Sequence, residues 1–322
     1  MPDKRSVEPP PLPKGVASPQ EAPKPKTSAP PRGVGAHEHP HSHPELEAAT
    51  ARLDPIITLT TDIGWAYASQ MKGVLLSSAP RARLVDITHS VQSHSVLEGA
   101  FMLRYCASHF PAGSIHVCIV DPGVGSGRQA LMVRCREGSL LVGPDNGVLM
   151  PLASALGDPE VFRIQAERVV PNRPVSATFE GRDLFAPTAA QLATGKIPED
   201  LGVETRALAF HLPAPKWGAG AAEVSVLHVD AFGNAITNLP FEEFVERIGP
   251  PGTHAVVQEG SRQMRAAVAR TYSDLTEGCL GVLGSSFGLA ELSIGKGRAD
   301  HVLSLKTGAR LHLKPSDQDW RE

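Results

Sequence analysis

The chain contains 322 residues, of which 41% are hydrophobic and 20% charged, and its formal net charge at pH 7 is −3. This composition is typical of a soluble globular protein, and it excludes collagen-like and wholly disordered chains. Because the chain has no excess of basic residues, it offers no electrostatic footprint for nucleic acid, and we expect no nucleic-acid partner.

The sequence indicates neither membrane insertion nor secretion. No stretch reaches the roughly 18 uncharged apolar residues that a spanning helix needs, and no apolar segment follows the N-terminal charges as it would in a signal peptide. The four cysteines are widely spaced and form no CxxC pair, which is typical of buried thiols in a reducing compartment. We therefore expect a cytoplasmic protein without membrane contacts, disulfides or a zinc site.

The first part of the chain is rich in proline: twelve of the 29 prolines lie in residues 1–50, with hardly any large apolar residues. Such a segment cannot bury enough apolar surface to offset the entropy of ordering, so we predict a disordered tail over residues 1–54. Within it, HEHPHSHP places four histidines at alternate positions, namely His37, His39, His41 and His43. They could hold a divalent metal weakly, but composition favours a solvated polar run.

Residues 55–210 predict an N-terminal α/β domain. In order, the predicted elements are a strand at Ile56–Thr61, a helix at Tyr67–Ser77, a strand at Arg83–Thr88, a helix at Ser95–His109 and a strand at Ser114–Asp121. This alternation predicts a mainly parallel sheet with helices on both faces. Ser95 and Glu98 have the spacing of a capping box at the start of the second helix.

Tighter spacing follows Arg128. The segments QALMVRC and SLLVG predict a hairpin added to the sheet, and a further helix is predicted near Leu184–Thr194. Just before that helix, TFEGRD places three charged residues together. If Asp183 is the N-cap of the helix, Glu180 and Arg182 remain for a site.

Residues 211–222, rich in Pro, Gly and Ala, predict a linker to a C-terminal domain over residues 223–315. Its short apolar runs are VSVLHVD, HAVVQEG, QMRAAVA, GCLGVLG, AELSIG and HVLSL, and one helix is predicted at Phe241–Arg247. Short strands closed by Gly, Ser or Asp predict a small antiparallel β-barrel or sandwich.

Five carboxylates follow or end predicted strands. They are Asp62, Asp86, Asp121, Asp145 and Asp230. Any one of them is as readily explained by a turn, but ligands of open parallel sheets bind beyond the carboxyl ends of the strands. The five together therefore favour a cleft at this edge.

The segment DPGVGSGR joins a strand-terminal carboxylate, Asp121, to Arg128 through three alternate glycines. It lacks the dinucleotide-binding pattern GxGxxG, because Arg128 stands where the last glycine is needed. The glycines allow a sharp turn that returns Arg128 to Asp121, where the pair could orient a water molecule or a substrate. The structural alternative is a glycine-rich hairpin held by an ion pair.

In the C-terminal domain, DAFGNAITN brings together a carboxylate, an aromatic ring and two amides. Asp230, Phe232 and Asn234 are its leading members. This set predicts a pocket for a purine or an amino acid or, equally on spacing alone, a bulged hairpin.

Eight segments in this order resemble the S-adenosylmethionine hydroxide adenosyltransferase family, the S-adenosylmethionine hydrolases related to fluorinating and chlorinating enzymes. They are TTDIG, MKGVL, VDITHSV, VDPGVGSGR, GPDNG, TFEGRDLFAP, VDAFGNAITN and LGSS. The resemblance implies an α/β N-terminal domain, an all-β C-terminal barrel, and a homotrimer with active sites between subunits. It also implies hydrolysis of S-adenosyl-L-methionine to adenosine and L-methionine by hydroxide attack at C5′.

The resemblance assigns substrate contacts position by position. Asp62 matches the carboxylate that accepts hydrogen bonds from both ribose hydroxyls, a role that suits its two oxygens, and His94 falls beside the ribose and the sulfonium. The remaining matches are Asp230 at the methionine ammonium, Phe232 and Asn234 at the adenine, and Ser285 and Ser286 at the methionine carboxylate.

Asp121 and Arg128 match two members of the family's Asp-Arg-His set, which handles the attacking water, and Glu180 stands where the family has histidine. Carboxylates near the nucleophile disfavour a halide, so hydroxide or water is the better substrate. A sulfonium leaves without a proton or a metal, so the resemblance implies no cofactor and no metal.

Two other functions are consistent with the residues. The first is a metal-dependent nucleotide phosphatase that uses Asp62, Asp86, Asp121 and Asp145 around Mg²⁺ or Mn²⁺. The second is a non-catalytic protein that binds S-adenosylmethionine or adenosine, its water-handling set broken at Glu180.

Overall fold

The computed structural model describes residues 54–316. The predicted tail up to residue 53, with its tract of His37, His39, His41 and His43, lies outside the described residues. Within residues 54–316, no helix is both long and apolar enough to cross a bilayer. Residues 54–316 form one compact unit that contains two sheets.

The first sheet has seven strands: β1 (Ile56–Thr61), β2 (Arg83–Thr88), β3 (Ile115–Ile119), β4 (Ala130–Arg134), β5 (Leu140–Pro144), β6 (Glu160–Ile164) and β7 (Gly202–Glu204). Their order is β2-β1-β3-β5-β4-β6-β7. The strands β2, β1, β3 and β5 are parallel, whereas β4, β6 and β7 add antiparallel pairs. The predicted parallel part and the added hairpin are therefore confirmed, and the whole sheet is mixed.

Helical segments accompany this sheet: α1 (Gly64–Ser78), α2 (Val96–Ala107), α3 (Met150–Leu156), α4 (Ala166–Val169), a π-helical turn (Gly181–Phe185), α5 (Ala186–Ala193) and α6 (Pro198–Leu201). Side chains alternate along β4, so that Met132 joins one buried cluster while Leu131 and Val133 join another. The first cluster contains Met71 of α1, and the second contains Leu103 of α2. Helices thus cover both faces, as predicted.

The second sheet closes into a barrel. Its strands are β8 (Lys216–Gly218), β9 (Ala221–Val229), β10 (Ala235–Pro240), β11 (His254–Glu259), β12 (Arg262–Val268), β13 (Leu280–Gly284), β14 (Leu289–Ile294) and β15 (Arg310–Pro315). Seven of them form the ring β10-β14-β13-β12-β11-β15-β9, which the pairing of β9 with β10 closes. The eighth strand, β8, pairs with β9 and lies in the segment predicted as a linker.

Three details of the barrel differ from the prediction. The barrel was predicted to be antiparallel, but β12 and β13 pair in parallel. The predicted helix is confirmed as α7 (Phe241–Arg247), but HVLSL, predicted as a strand, begins inside the short helix α8 (Ala299–Val302). Leu303 and Leu305 lie in the turn that follows α8, and both side chains are buried. Their N–H groups donate to carbonyls of α8, so the apolar alternation comes from a turn and not from a strand. The strand β15, which sequence analysis missed, pairs with β11 and β9.

The predicted capping box is half formed. The Ser95 hydroxyl accepts a hydrogen bond from the Glu98 N–H at 3.3 Å, as predicted. The Glu98 carboxylate instead accepts from the Gln92 N–H at 3.0 Å and lies 2.6 Å from Nδ1 of His228 on β9. This carboxylate is buried and joins helix α2 to the barrel.

Candidate active site

A cavity of about 220 Å³ opens beyond the carboxyl ends of β1 and β3. It is lined by Asp62, Ile63, Ser93, His94, Ile119, Asp121, Val124, Thr178, Phe179, Glu180 and Gly181. Four of the ten predicted site residues are therefore at one place: Asp62, His94, Asp121 and Glu180. The position agrees with the rule that ligands of open parallel sheets bind beyond the strand ends.

The cavity's first carboxylate, Asp62, follows β1 directly. Its N–H donates to the carbonyl of Ile119 at 3.3 Å, and its Oδ2 accepts from the N–H of His94 at 2.8 Å. His94 has a φ of 66°, which is uncommon for a residue other than glycine. Within residues 54–316, Oδ1 of Asp62 has no hydrogen-bond partner. This oxygen is therefore available to a hydroxyl group of a ligand.

The second group consists of Asp121, Arg128 and Glu180, with side chains that are 6%, 11% and 17% exposed. Nε of Arg128 donates to Oδ1 of Asp121 at 2.9 Å, and its Nη2 contacts Oδ2 of Asp121 and Oε2 of Glu180. Burial lowers the pKa of Arg128, but the two carboxylates more than offset this effect and raise it above the ordinary value. The group carries one net negative charge.

The glycine-rich loop brings Arg128 back to Asp121, as predicted. Gly123 donates its N–H to Oδ1 of Asp121 at 3.2 Å. Gly125 has a φ of 75°, and a Cβ there would lie 2.5 Å from the carbonyl oxygen of Ala177. Only glycine permits this backbone conformation so close to the neighbouring segment, which leads to Glu180.

The segment around Glu180 differs from the prediction in one respect. The helix begins with the π-helical turn at Gly181, so the prediction that Asp183 is an N-cap was wrong. Asp183 lies inside that turn, where it accepts from the Ser176 N–H at 3.1 Å and pairs with Arg182 at 2.6 Å. Arg182 is therefore engaged beside the cavity without lining it, whereas Glu180 lines it.

The other strand-end carboxylates do not reach the cavity. Asp86 lies 2.5 Å from Nζ of Lys72 and 3.0 Å from Nε2 of His89. Asp145 accepts the N–H of Leu208 at 2.7 Å. The prediction that all five converge in one cleft was therefore wrong, because local partners hold these two. Within the described part of the chain, no three His, Cys, Asp or Glu side chains are grouped as metal ligands.

The predicted contacts of the barrel form separate loops. Asp230 accepts from the N–H groups of Phe232 at 2.9 Å and of Asn234 at 2.8 Å, and its Oδ2 accepts from Nδ2 of Asn234 at 2.9 Å. The Phe232 ring is 76% exposed. Ser285 and Ser286 lie in the turn between β13 and β14. None of these five residues lines the 220 Å³ cavity.

Sequence analysis did not single out Glu291 or Tyr272. Glu291 is buried in β14, where its Oε1 accepts from the hydroxyls of Tyr272 and Ser293, both at 2.8 Å. Burial raises the pKa of Glu291, and the charge of Asp230 raises it further. Burial, the bond to Glu291 and the charge of Asp230 raise the pKa of Tyr272 to about 12. A glutamate in the middle of a mostly apolar strand, as Glu291 is in β14, matches no recognisable sequence motif.

Comparison with known proteins matches both parts of the chain to one family. The family model for the SAM hydroxide adenosyltransferase N-terminal domain matches residues 57–202, and the model for the C-terminal domain of the same family matches residues 224–312. The first match covers most of the seven-stranded sheet and the second covers most of the barrel. Together they include all ten predicted site residues.

Among curated proteins, the chain is 37% identical over 270 residues to an (R)-S-adenosyl-L-methionine hydrolase of Salinispora arenicola, a match that covers 80% of this chain and 97% of the relative. It is 37% identical over 262 residues to a protein of the same name from Thermus thermophilus, covering 77% and 94%. A fluorinase of Nocardia brasiliensis is 26% identical over 292 residues, covering 81% and 97%.

Among solved structures, an uncharacterised conserved protein from Thermotoga maritima aligns with a TM-score of 0.75 at 32% identity. The alignment covers 80% of this chain and 99% of that protein. The two-sheet architecture is therefore shared over nearly the whole length of that relative.

Proposed function

The chain belongs to the SAM hydroxide adenosyltransferase family, and we propose that it hydrolyses (R)-S-adenosyl-L-methionine to adenosine and L-methionine. The observation that carries this proposal is the convergence of Asp62 and the Asp121–Arg128–Glu180 group at one cavity. In this name the prefix L already gives the configuration of the α-carbon of methionine, so the descriptor R refers to the configuration at the sulfonium sulfur.

We propose that the Asp62 carboxylate holds the ribose. One of its oxygens already accepts the His94 N–H, and the other has no partner within the described residues. A vicinal diol can donate one hydrogen bond to each oxygen of a carboxylate. This grip would fix the sugar and present C5′ to the groups that line the opposite side of the cavity.

The reaction requires few chemical groups. Water attacks C5′ from the side opposite the sulfur, a new C5′–O bond forms, the C5′–S bond breaks, and its electron pair stays on sulfur as neutral methionine. The proton lost from water goes to a base. Because the sulfonium leaves without protonation, in-line alignment supplies most of the rate, up to about 7–11 kcal/mol in model reactions. We therefore propose that no cofactor or metal takes part and expect turnover to survive EDTA.

Glu180 is the proposed base. Its Oε2 is held by Arg128, while Oε1 has no hydrogen-bond partner among residues 54–316. Asp121, held by Arg128 through both oxygens, would orient the water. The net negative charge of the group favours a cationic sulfonium and disfavours a halide ion, which argues against the halogenation carried out by more distant relatives.

We propose that the active unit is a homotrimer with sites between subunits. The cavity of about 220 Å³ is smaller than the ~300–1,000 Å³ typical of ligand pockets. Asp230, Phe232, Asn234, Ser285 and Ser286 do not line it within one chain, and the exposed Phe232 ring is available to an adenine. A neighbouring subunit that supplied these loops would complete the site.

The test measures, by chromatography, the adenosine released from each sulfur epimer of S-adenosyl-L-methionine. We expect the wild-type protein to consume the R epimer and Asp121→Ala to lose turnover by at least about a hundredfold, since it removes the carboxylate proposed to orient the water and its two bonds to Arg128. Unchanged turnover in Asp121→Ala would refute the assignment. Binding of S-adenosylmethionine without adenosine release would instead support a non-catalytic binding protein.

A further inference from the structure

A buried histidine lies behind the residue that precedes Asp62. The His89 side chain has its Nδ1 2.9 Å from Oγ1 of Thr61 and its Nε2 3.0 Å from Oδ1 of Asp86. Asp86 in turn accepts from Nζ of Lys72 at 2.5 Å. Thr61 is fully buried and His89 is 2% exposed. None of these four side chains lines the cavity.

The direction of each bond follows from the charge on Asp86. Burial raises the pKa of Asp86, but its bonds to Lys72 and His89 outweigh burial and hold it below the ordinary value, so the carboxylate is ionised at neutral pH. Nε2 of His89 therefore donates to Asp86. In the neutral ring Nδ1 then accepts the hydroxyl proton of Thr61. The Thr61 hydroxyl is therefore oriented by the His89 ring, and the ring is in turn held by Asp86.

Backbone hydrogen bonds also connect Thr61 and His89 to the chain segments on either side of Asp62 and His94. The carbonyl of His89 accepts the N–H of Gly64 at 3.1 Å, and the carbonyl of Thr61 accepts the N–H of Val91 at 3.3 Å. The segment that leads from β2 to His94 is thus held against the end of β1. The N–H of His94 then binds Asp62. The network therefore determines where both partners in this bond lie.

We propose that Thr61 and His89 are positioning residues that hold the Asp62 carboxylate in the orientation that binds the ribose. The inference rests on the proposed function, because it assigns Asp62 to the sugar. A positioning role predicts weaker binding of every ligand that carries the ribose diol, with little change in the chemical step. Neither side chain lines the cavity in which the sugar would lie.

The same strand offers a matched control. Oγ1 of Thr58 lies 2.7 Å from Nδ1 of His116, a second buried threonine–histidine bond on β1. Thr58 is also fully buried and His116 is 1% exposed, but neither residue lines the cavity or contacts its lining through a hydrogen bond in the described chain. Thr58→Val and Thr61→Val therefore remove the same kind of bond from the same strand.

The experiment measures KM and kcat for adenosine release, the Kd for adenosine by calorimetry, and the Tm. For Thr61→Val we expect KM and Kd to rise about tenfold, the equivalent of one buried hydrogen bond, with kcat within about twofold of the wild-type value. Thr61→Ser, which keeps the hydroxyl, should restore KM. Thr58→Val should lower Tm to a similar extent and leave KM and Kd unchanged.

A second variant covers the case in which Thr61→Val does not fold. His89→Leu removes the acceptor for Thr61 together with the donor to Asp86, and we expect the same rise in KM and Kd. Equal Kd values for Thr61→Val, Thr58→Val and the wild-type protein would overturn the inference, as would a fall in kcat at constant KM. A wild-type protein that binds adenosine without releasing it from the substrate would contradict the proposed function alone, since Kd still tests the positioning role.

Discussion

At the scale of single residues, Arg128 determines what the cavity can do. Its guanidinium holds Asp121 through both oxygens and Glu180 through one, and its Cζ lies 5.4 Å from the centre of the Phe185 ring. Both oxygens of Asp121 are therefore engaged by Arg128, whereas Glu180 keeps one oxygen without a partner among residues 54–316. The two carboxylates have different roles because one cation divides its donors unequally between them.

This division predicts the behaviour of Glu180 variants. Glu180→Gln preserves shape and one acceptor but cannot take a proton, so we expect kcat to fall by about a hundredfold or more with a small change in KM. Glu180→His, which introduces the histidine that the family resemblance implies at this position, should retain measurable activity. The measurement is adenosine release under saturating substrate.

The control is Glu167→Gln, an exposed glutamate on α4 outside the cavity, for which we expect wild-type rates. Glu180→Gln with kcat within twofold of wild type would contradict the assignment of Glu180 as the base. A rise in KM without a fall in kcat would place Glu180 in substrate binding instead.

At the scale of elements, the glycine-rich loop and the segment before the π-helical turn form the two walls that bring Asp121 and Glu180 together. Gly125 lies against the backbone of Ala177, three residues before Glu180. Because the neighbouring atom is a main-chain oxygen, the clash made by a larger residue at position 125 could not be relieved by the movement of a side chain. The close approach of the two walls at this point requires a glycine.

We therefore expect Gly125→Ala to separate the walls. The added Cβ would lie 2.5 Å from the Ala177 oxygen, and alanine also disfavours a φ of 75°. The expected result is a loss of about 1–3 kcal/mol of unfolding free energy and at least a tenfold loss of kcat/KM.

Gly127→Ala provides the control in the same loop, because, apart from its two chain neighbours, no described residue has an atom within 4 Å of a Cβ built there. We expect it to leave both stability and activity within twofold of wild type. Denaturant unfolding and adenosine release measure the two effects. Equal behaviour of the two variants would show that the loop does not set the geometry of the site.

Much of the first sheet was predictable because its signals are local. The runs at β1 and β2 and the helix α7 have the predicted bounds, since apolar periodicity and flanking polar residues mark them directly. The helix after TFEGRD was predicted near Leu184–Thr194 with Asp183 as its N-cap, but Asp183 lies inside the π-helical turn and instead accepts from the Ser176 N–H and pairs with Arg182. HVLSL has the alternation of a strand although Leu303 and Leu305 are buried by a turn.

The site divides in the same way. Asp62, Asp121 and Glu180 could be found because each lies in a short segment with an unusual density of polar residues or glycines. His89 could not be assigned from the sequence, because its partners Thr61 and Asp86 belong to different strands, and only the register of β1 and β2 brings them together. Pairings of that kind depend on the fold and not on spacing along the chain.

At the scale of the whole molecule, Glu98 connects two groups of proposed substrate contacts that lie far apart in sequence. Its carboxylate binds the Gln92 N–H, two residues before His94, and Nδ1 of His228, two residues before Asp230. Glu98 therefore joins the loop that holds Asp62 to the strand that leads to Asp230 within one chain. If the proposed trimer is correct, the two loops serve different active sites.

The trimer can be tested by mixing two inactive subunits. Asp62→Asn damages the contribution of the α/β part, and the double variant Asp230→Asn, Phe232→Ala damages that of the barrel. In a cyclic trimer with sites between subunits, every assembly that contains both kinds of subunit has one site built from two intact halves. We therefore expect trimers purified through two different tags to recover about one third of wild-type turnover, although each homotrimer is inactive.

The matched control is a mixture of Asp62→Asn with Asp121→Ala. Both of these residues line the same cavity of one chain, so no arrangement of such subunits builds an intact site, and adenosine release should stay at background. Background activity in both mixtures, with mixed trimers verified by mass, would mean that each chain completes its own site. Recovery in the first mixture and not in the second requires Asp230 and Phe232 to act on the cavity of a neighbour, since only a site shared between subunits separates the two mixtures.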